Sequence, residues 1–322
     1  MKQLPVTSPA YQYIEKSFKE WLEIVGYSWQ VSYYMPLQIR GLFNWLEKQN
    51  KAQITDITTE LIKEYYHTEL KQRKNLLYGA GTLSSKHLNK NLHALKKFTE
   101  YLRQTGKLAI PVLNIQQEEI TDSKPTVLTE EEVQQLYKAA TVMPEKMRHG
   151  RSMEYYECVA LRHRAMLAVF YGCGLRRNEG YHLDITDINL DSALLHVRKG
   201  KGYKERFVPI SKRGVQHITT YLYDGRPVLL KDSKEDAFFI GDNGKRLGYQ
   251  MLLLCLQSLV LRTDNAGLQQ KEIGLHTLRH SIATHLLGAG MGLEQIRGFL
   301  GHGSLESTQI YTHLINEEHA AV

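Results

Sequence analysis

Cysteine is scarce in this chain: three residues in 322, at positions 158, 173 and 255. Their wide spacing forms neither a disulfide framework nor a metal-binding pair, which fits a reduced, cytoplasmic setting. Nowhere do 18 apolar residues run together, so no membrane-spanning helix is expected. The opening MKQLPVTSPAYQYIEK has a lysine but no apolar stretch behind it, so a secretory leader is not expected. There is no internal repeat and no low-complexity tract. With 42% hydrophobic and 23% charged residues, wholesale disorder is excluded. The length suits about two domains, each able to bury a core. Cations exceed anions, 41 Lys and Arg against 34 Asp and Glu, for a net charge of +7. That balance is compatible with a polyanionic partner without proving one.

The excess is uneven. Residues 1–125 hold 17 of the cations and 12 of the anions, and all three tryptophans. Apolar residues there recur at helical spacing. Tyr11, Ile14, Phe18, Trp21 and Val25 form one stripe, closed by Gly26. Leu42, Trp45 and Leu46 form a second after Pro36, and Leu61, Ile62, Tyr65 and Leu70 a third from Thr58. A fourth helix is predicted from about Ser84 to Thr105, with Leu88, Leu92, Leu95 and Leu102 inward and Gly106 as its stop. Its other faces carry Lys86, Lys90, Asn91, Lys96, Lys97 and Arg103. They serve equally as a solvated basic surface or as a face laid along DNA, lysines on phosphates and Asn91 or His87 near base edges. Periodicity then fails. Pro111 and Pro125 flank the polar stretch Gln116 to Glu119, so 108–127 reads as a linker between an N-terminal domain, 1–107, and a second domain, 128–322.

Thr129 and Glu132 stand at capping-box spacing and start the second domain's first helix. An apolar helix follows over 161–172, halted by Gly172 and Gly174. Leu194–Arg198 and Arg206–Ile210 read as strands on either side of KGKGYKE, a basic β-hairpin. Helices are expected over Thr277–Leu287 and Leu293–Leu300, the latter ended by Gly301. The long connection 142–160 stands out as an added DNA or subunit contact.

Four pieces carry chemistry: GLRRNE at 174–179, GKGYKERFVPI at 200–210, HTLRH at 276–280 and LGHGSLESTQIYTH at 300–313. Each is weak by itself. Arg176 three residues before Glu179 is compatible with an ordinary helical pair, and a lysine in a glycine-rich turn with a solvated one. His276 and His280, at i and i+4, raise the question of a metal. Thr277 stands where a hydrolase would place Glu, and Arg279 would set a permanent charge beside the ion, so no metal is expected.

Together, in this order and spacing, the pieces resemble the tyrosine recombinase and integrase family. His276 and Arg279 are followed by His302 after 26 residues and by Tyr311 nine beyond. LRHSIATHLLGAG and LGHGSLESTQIYTHL look like the Xer branch and its phage and conjugative-transposon relatives. The resemblance implies a mainly α chain. A helical, SAM-like core-binding domain would precede a mixed α/β catalytic domain with a small sheet. It implies Tyr311 as nucleophile forming a 3′-phosphotyrosine, Arg176 and Arg279 on the phosphate, and Lys201 as acid to the 5′-oxygen. His276 would be acid or base, and His302 a donor to the phosphate. Lys204 and Arg206 would touch backbone phosphates, and of the two Arg206 better suits a place behind the catalysts. Glu179 would orient Arg176, and His285 would be packed in the core. No cofactor is implied. The partners implied are double-stranded DNA with inverted-repeat core sites, a tetramer of this chain exchanging strands through a Holliday junction, and accessory proteins.

The pattern departs at Gly180 and Tyr181, where relatives carry an apolar pair, and the 11 residues after Tyr311 are short for a docking tail. The 142–160 segment and the loosely matching front half lead to the expectation of a mobile-element integrase. The alternatives are a dimer-resolving Xer recombinase, a DNA-binding relative without activity, or a type IB topoisomerase.

Overall fold

The computed structural model describes residues 4–73, 82–120, 125–143, 149–198, 205–231 and 234–301. The chain divides into two compact units, Met1–Ser123 and Lys124–Val322.

The first unit is helical. α1 (Pro9–Ile24) starts where Ser8 caps the amide of Tyr11, with proline at the first position. It buries Tyr11, Ile14, Phe18 and Leu22, whereas Val25, placed on the stripe by sequence, is 54% exposed. α2 (Trp29–Lys48) does not wait for Pro36 but runs through it from a cap at Ser28. Proline forfeits one amide donor in a helix interior. Here Met35, Pro36 and Ile39 are all buried, and packing on both sides of the proline outweighs that loss. α3 (Thr59–Glu64) continues into a wide turn over Tyr65–Leu70, and α4 (Ser85–Gln104) buries its predicted leucines. Aromatic rings join the helices: Tyr11 stacks on Phe43 at 4.7 Å, and Phe98 meets Phe18 and Phe43 edge-on.

The stretch predicted as linker is largely part of this unit. Ile110, Leu113 and Ile115 are buried in its core, and Asn89 and the backbone of Glu118 exchange hydrogen bonds at 2.8 and 2.7 Å. Three well-spaced apolar residues anchored a segment whose prolines and charges suggested freedom.

In the second unit, α5 (Glu130–Ala139) begins with the expected capping box between Thr129 and Glu132. α6 (Met153–Leu167) takes up much of the predicted long connection, and a wide turn over Ala168–Gly172 leads to α7 (Arg177–Tyr181). The sheet is three antiparallel strands in the order β1 (Ile188–Asn189), β2 (Leu194–Val197) and β3 (Arg206–Pro209), with Val197 paired to Arg206. α8 (Lys212–Thr220), α9 (Arg226–Leu230), α10 (Tyr249–Leu261), α11 (Ala266–Gln270), α12 (Leu275–Gly288) and α13 (Leu293–Leu300) complete the described chain. The unusual Gly180 has a packing cause: a Cβ there would lie 2.4 Å from the ring of Phe170. No helix among the described residues is long and apolar enough to cross a membrane.

Candidate active site

Glu179, in α7, is the centre of an arginine cluster. Its carboxylate accepts from the backbone amide and Nη1 of Arg176, both at 2.8 Å, and from both Nη atoms of Arg206 at 3.1 and 3.0 Å. Arg279 Nη1 lies 3.9 Å away. Burial alone would raise the carboxyl's pKa. The hydrogen bonds and charge of Arg206, with the bonds from Arg176, reverse this and hold it at about 2. Glu179 is therefore ionised throughout the neutral range, and it compensates one of three guanidinium charges.

The arginines also hold the end of α13, whose last carbonyls have no partner within the helix. Arg206 Nε donates to Phe299 O at 3.0 Å. Arg279 Nη2 donates to Leu300 O at 2.7 Å, and Arg176 reaches Leu300 O at 3.4 Å and Gly301 O at 3.0 Å. Cations at this negative helix end are favoured. Arg279 is only 3% exposed, and its Nη1 donates to Gly174 O at 2.6 Å. Arginine suits such a site because its charge is permanent and its donors are fixed in a plane.

α12 carries His276 three residues before Arg279. His276 is exposed, yet partial desolvation of its ring, then Arg279, Arg176 and Arg177, lower its pKa. The imidazole is neutral at pH 7. His280, one turn on, is lowered further to about 4, by burial and then by His276 and Arg279. No group of three His, Cys, Asp or Glu that could hold a metal occurs among the described residues.

The structure thus brings together Arg176 and Arg279, with His276 on the same helix as Arg279. Lys201, Lys204, His302 and Tyr311 lie outside the described residues. Two sequence expectations change. Arg206, proposed on phosphate, is buried and turned inward to Glu179 and α13. Asn91, proposed near base edges, is 7% exposed and donates to the His87 carbonyl of its own helix. Lys86 and Lys90 are exposed, and Lys90 Nζ lies 5.8 Å from the ring centre of Tyr34. Lys97 is half-buried and paired with Glu100 at 2.8 Å. Sequence reading passed over Arg177. It stacks on Tyr249 and donates to Tyr249 O and Gln250 Oε1, so it braces α7 against α10. The paired arginines of GLRRNE were the only signal for it.

The second unit is a mixed one in which distant motifs gather guanidiniums on one carboxylate and one helix end. The chain belongs to the tyrosine recombinase and phage integrase family, and the profile of the Phage integrase family matches residues 126–318. It is a tyrosine-type site-specific recombinase. Tyrosine recombinase XerD of Proteus mirabilis is 30% identical over 282 residues, covering 87% of this chain and 82% of the relative. Tyrosine recombinase XerC 2 of Ralstonia nicotianae is 31% identical over 314 residues, covering 97% and 84%. Among solved structures, the XerH site-specific recombinase bound to palindromic difH substrate shares the fold, with a TM-score of 0.68 at 23% identity over 97% of this chain and 84% of that one.

Proposed function

We propose that this chain is a Xer-type recombinase that cuts and rejoins double-stranded DNA at specific sites, with Tyr311 as nucleophile. The observation that carries the reading is the meeting of Arg176 and Arg279 on the carbonyl of Leu300, two residues before His302 in sequence. Two guanidiniums aimed at one oxygen, with one buried carboxylate between them, leave surplus positive charge for a phosphate.

In the reaction the phenolic oxygen of Tyr311 forms a bond to the scissile phosphorus, and the phosphorus–O5′ bond breaks. The departing oxygen keeps the electron pair and takes a proton from Lys201, leaving a 3′-phosphotyrosine and a 5′-hydroxyl. His276 accepts the phenol's proton, a role open to it because partial desolvation and the neighbouring arginines disfavour its protonated form. Arg176, Arg279 and His302 stabilise the charge on the non-bridging oxygens. The ester keeps the bond energy, so the reverse attack by a 5′-hydroxyl rejoins a strand without a nucleotide.

Similarity to chains named XerD and XerC, at 30% identity and above, supports resolution of chromosome or plasmid dimers over the mobile-element role expected from sequence. Four copies on two sites, passing through a Holliday junction, accomplish it. A suicide-substrate assay tests the chemistry: wild type forms a covalent protein–DNA adduct, and Tyr311→Phe forms none. Absence of the adduct from wild type, or its presence in the variant, sinks the assignment. In cells, a plasmid with two direct repeats of the site is expected to collapse to monomers. Insertion of a non-replicating circle without such collapse would restore the integrase role.

A further inference from the structure

Arg206 sits in the basic hairpin, yet its guanidinium is committed to partners inside the protein. It opens β3, directly across from Val197 of β2, and the loop between these strands contains Lys201. Its side chain turns inward and is 8% exposed. Nη1 and Nη2 grip the two oxygens of Glu179 at 3.1 and 3.0 Å, and Nε donates to Phe299 O at 3.0 Å. All three guanidinium nitrogens are thereby engaged. Gly301, at φ +66°, makes the approach possible, since a Cβ there would lie 2.8 Å from Arg206 Nη1. A buried cation of this kind is tolerable only when fully paired.

We propose that Arg206 is a positioning residue for strand cleavage. It ties the base of the Lys201 hairpin to the Arg176–Glu179 turn and to the end of α13, beyond which His302 and Tyr311 follow in sequence. The inference rests on the function proposed above. Three segments distant in sequence meet at this one guanidinium, so its loss frees them to move relative to one another while the catalytic groups remain present. A misplacement of about 1 Å in such a site costs roughly 100-fold in rate. Lysine cannot substitute, because one ammonium cannot hold both oxygens of Glu179 and the Phe299 carbonyl in a fixed plane.

The test uses the full chain and a suicide substrate, reading DNA affinity separately from the single-turnover cleavage rate at saturating enzyme. Arg206→Lys, Arg206→Ala and Glu179→Gln are each expected to cleave about 100-fold more slowly, with affinity within about threefold of wild type. The Arg206→Lys/Glu179→Gln double variant is expected to be no more than about threefold slower than the slower single, because the two residues act as one unit. Cleavage by Arg206→Lys within threefold of wild type would overturn the proposal. So would a loss of affinity with a salt slope shallower by about one, the mark of a phosphate contact. Additive losses in the double variant would also overturn it, as would an Arg206→Lys protein whose melting shows it unfolded. The positioning role and the recombinase reading fall together only if wild type itself forms no adduct.

Discussion

The two units treat charge in opposite ways. Among the described residues of the first, no Lys, Arg, His, Asp or Glu is buried, and the buried polar groups are Ser8, Ser32, Thr59, Asn91 and Thr99. Its core is aromatic and aliphatic, and its cations stay out of that core, in exposed pairs such as Lys16–Glu20 and Lys19–Glu23. The second unit buries Arg162, Arg206, Arg226 and Arg279. Each donates to backbone carbonyls: Arg162 to Ile240, Arg226 to Ala237 and Glu235, Arg206 to Phe299, and Arg279 to Gly174 and Leu300. A solvated cation serves affinity, because it is screened and mobile. One locked on carbonyls serves geometry, since it cannot leave without stranding its partners.

That contrast can be broken at several points. The largest effect is expected at Arg279→Lys. Lysine keeps the charge but cannot span Gly174 O and Leu300 O, and on the proposed function adduct formation should slow about 1000-fold. Near-normal cleavage would show that charge alone suffices there. Next comes acid stability. The pKa of Glu179 is depressed in the folded state, so its contribution is present above the unfolded value near 4.5 and is lost as pH falls toward 2. Of the order of 3 kcal/mol is expected to vanish across that window in urea titrations. In Glu179→Gln that part of the slope should be missing; an equally steep slope would place the acid sensitivity elsewhere.

His163 gives a smaller effect at milder pH. Both ring nitrogens are buried with no hydrogen-bond partner among the described residues, and burial, then Arg162 and Arg262, drive its pKa well below 6.5. The unfolded chain therefore binds a proton first, and stability falls as pH drops below about 6.5. His163→Leu should flatten the urea midpoint between pH 7 and 5, and an unchanged profile would clear His163 of the effect. The smallest change belongs to the first unit. Removing Lys86 and Lys90 together should weaken DNA binding several-fold and reduce the salt slope by about two. Asn91→Ala should leave affinity within about twofold; a large loss would put that amide back at the DNA.

Local rules read much of this fold directly. The capping box at Thr129, the leucine stripe of α4, the strand edges at Leu194 and Arg206, and the stop at Gly301 all appear where spacing and turn chemistry predicted. The failures have two causes. Pro36 inside α2 and the anchoring of 110–118 on the first unit depend on distant packing that outweighs a local signal, whereas α6 starts at Met153 on a local cap, Ser152 accepting from the amide of Tyr155, that the sequence reading passed over. For the site, motif order named Arg176 and Arg279, and the spacing of GLRRNE suggested the role of Glu179. For Arg206 the sequence left two places open, on a phosphate or behind the catalysts, because a basic hairpin looks the same whether its arginine faces solvent or the interior. Only the tertiary meeting with Glu179 and Phe299 distinguishes the two.

The scarcity of thiols has a practical side. Cys158, Cys173 and Cys255 are all buried, and burial raises each thiol's pKa, that of Cys173 to about 12. Thiolate is the species that alkylating reagents attack. The native protein should therefore be nearly silent toward maleimide dyes, and a cysteine placed at exposed position 86 would take a fluorophore selectively without first stripping the natural sulfhydryls.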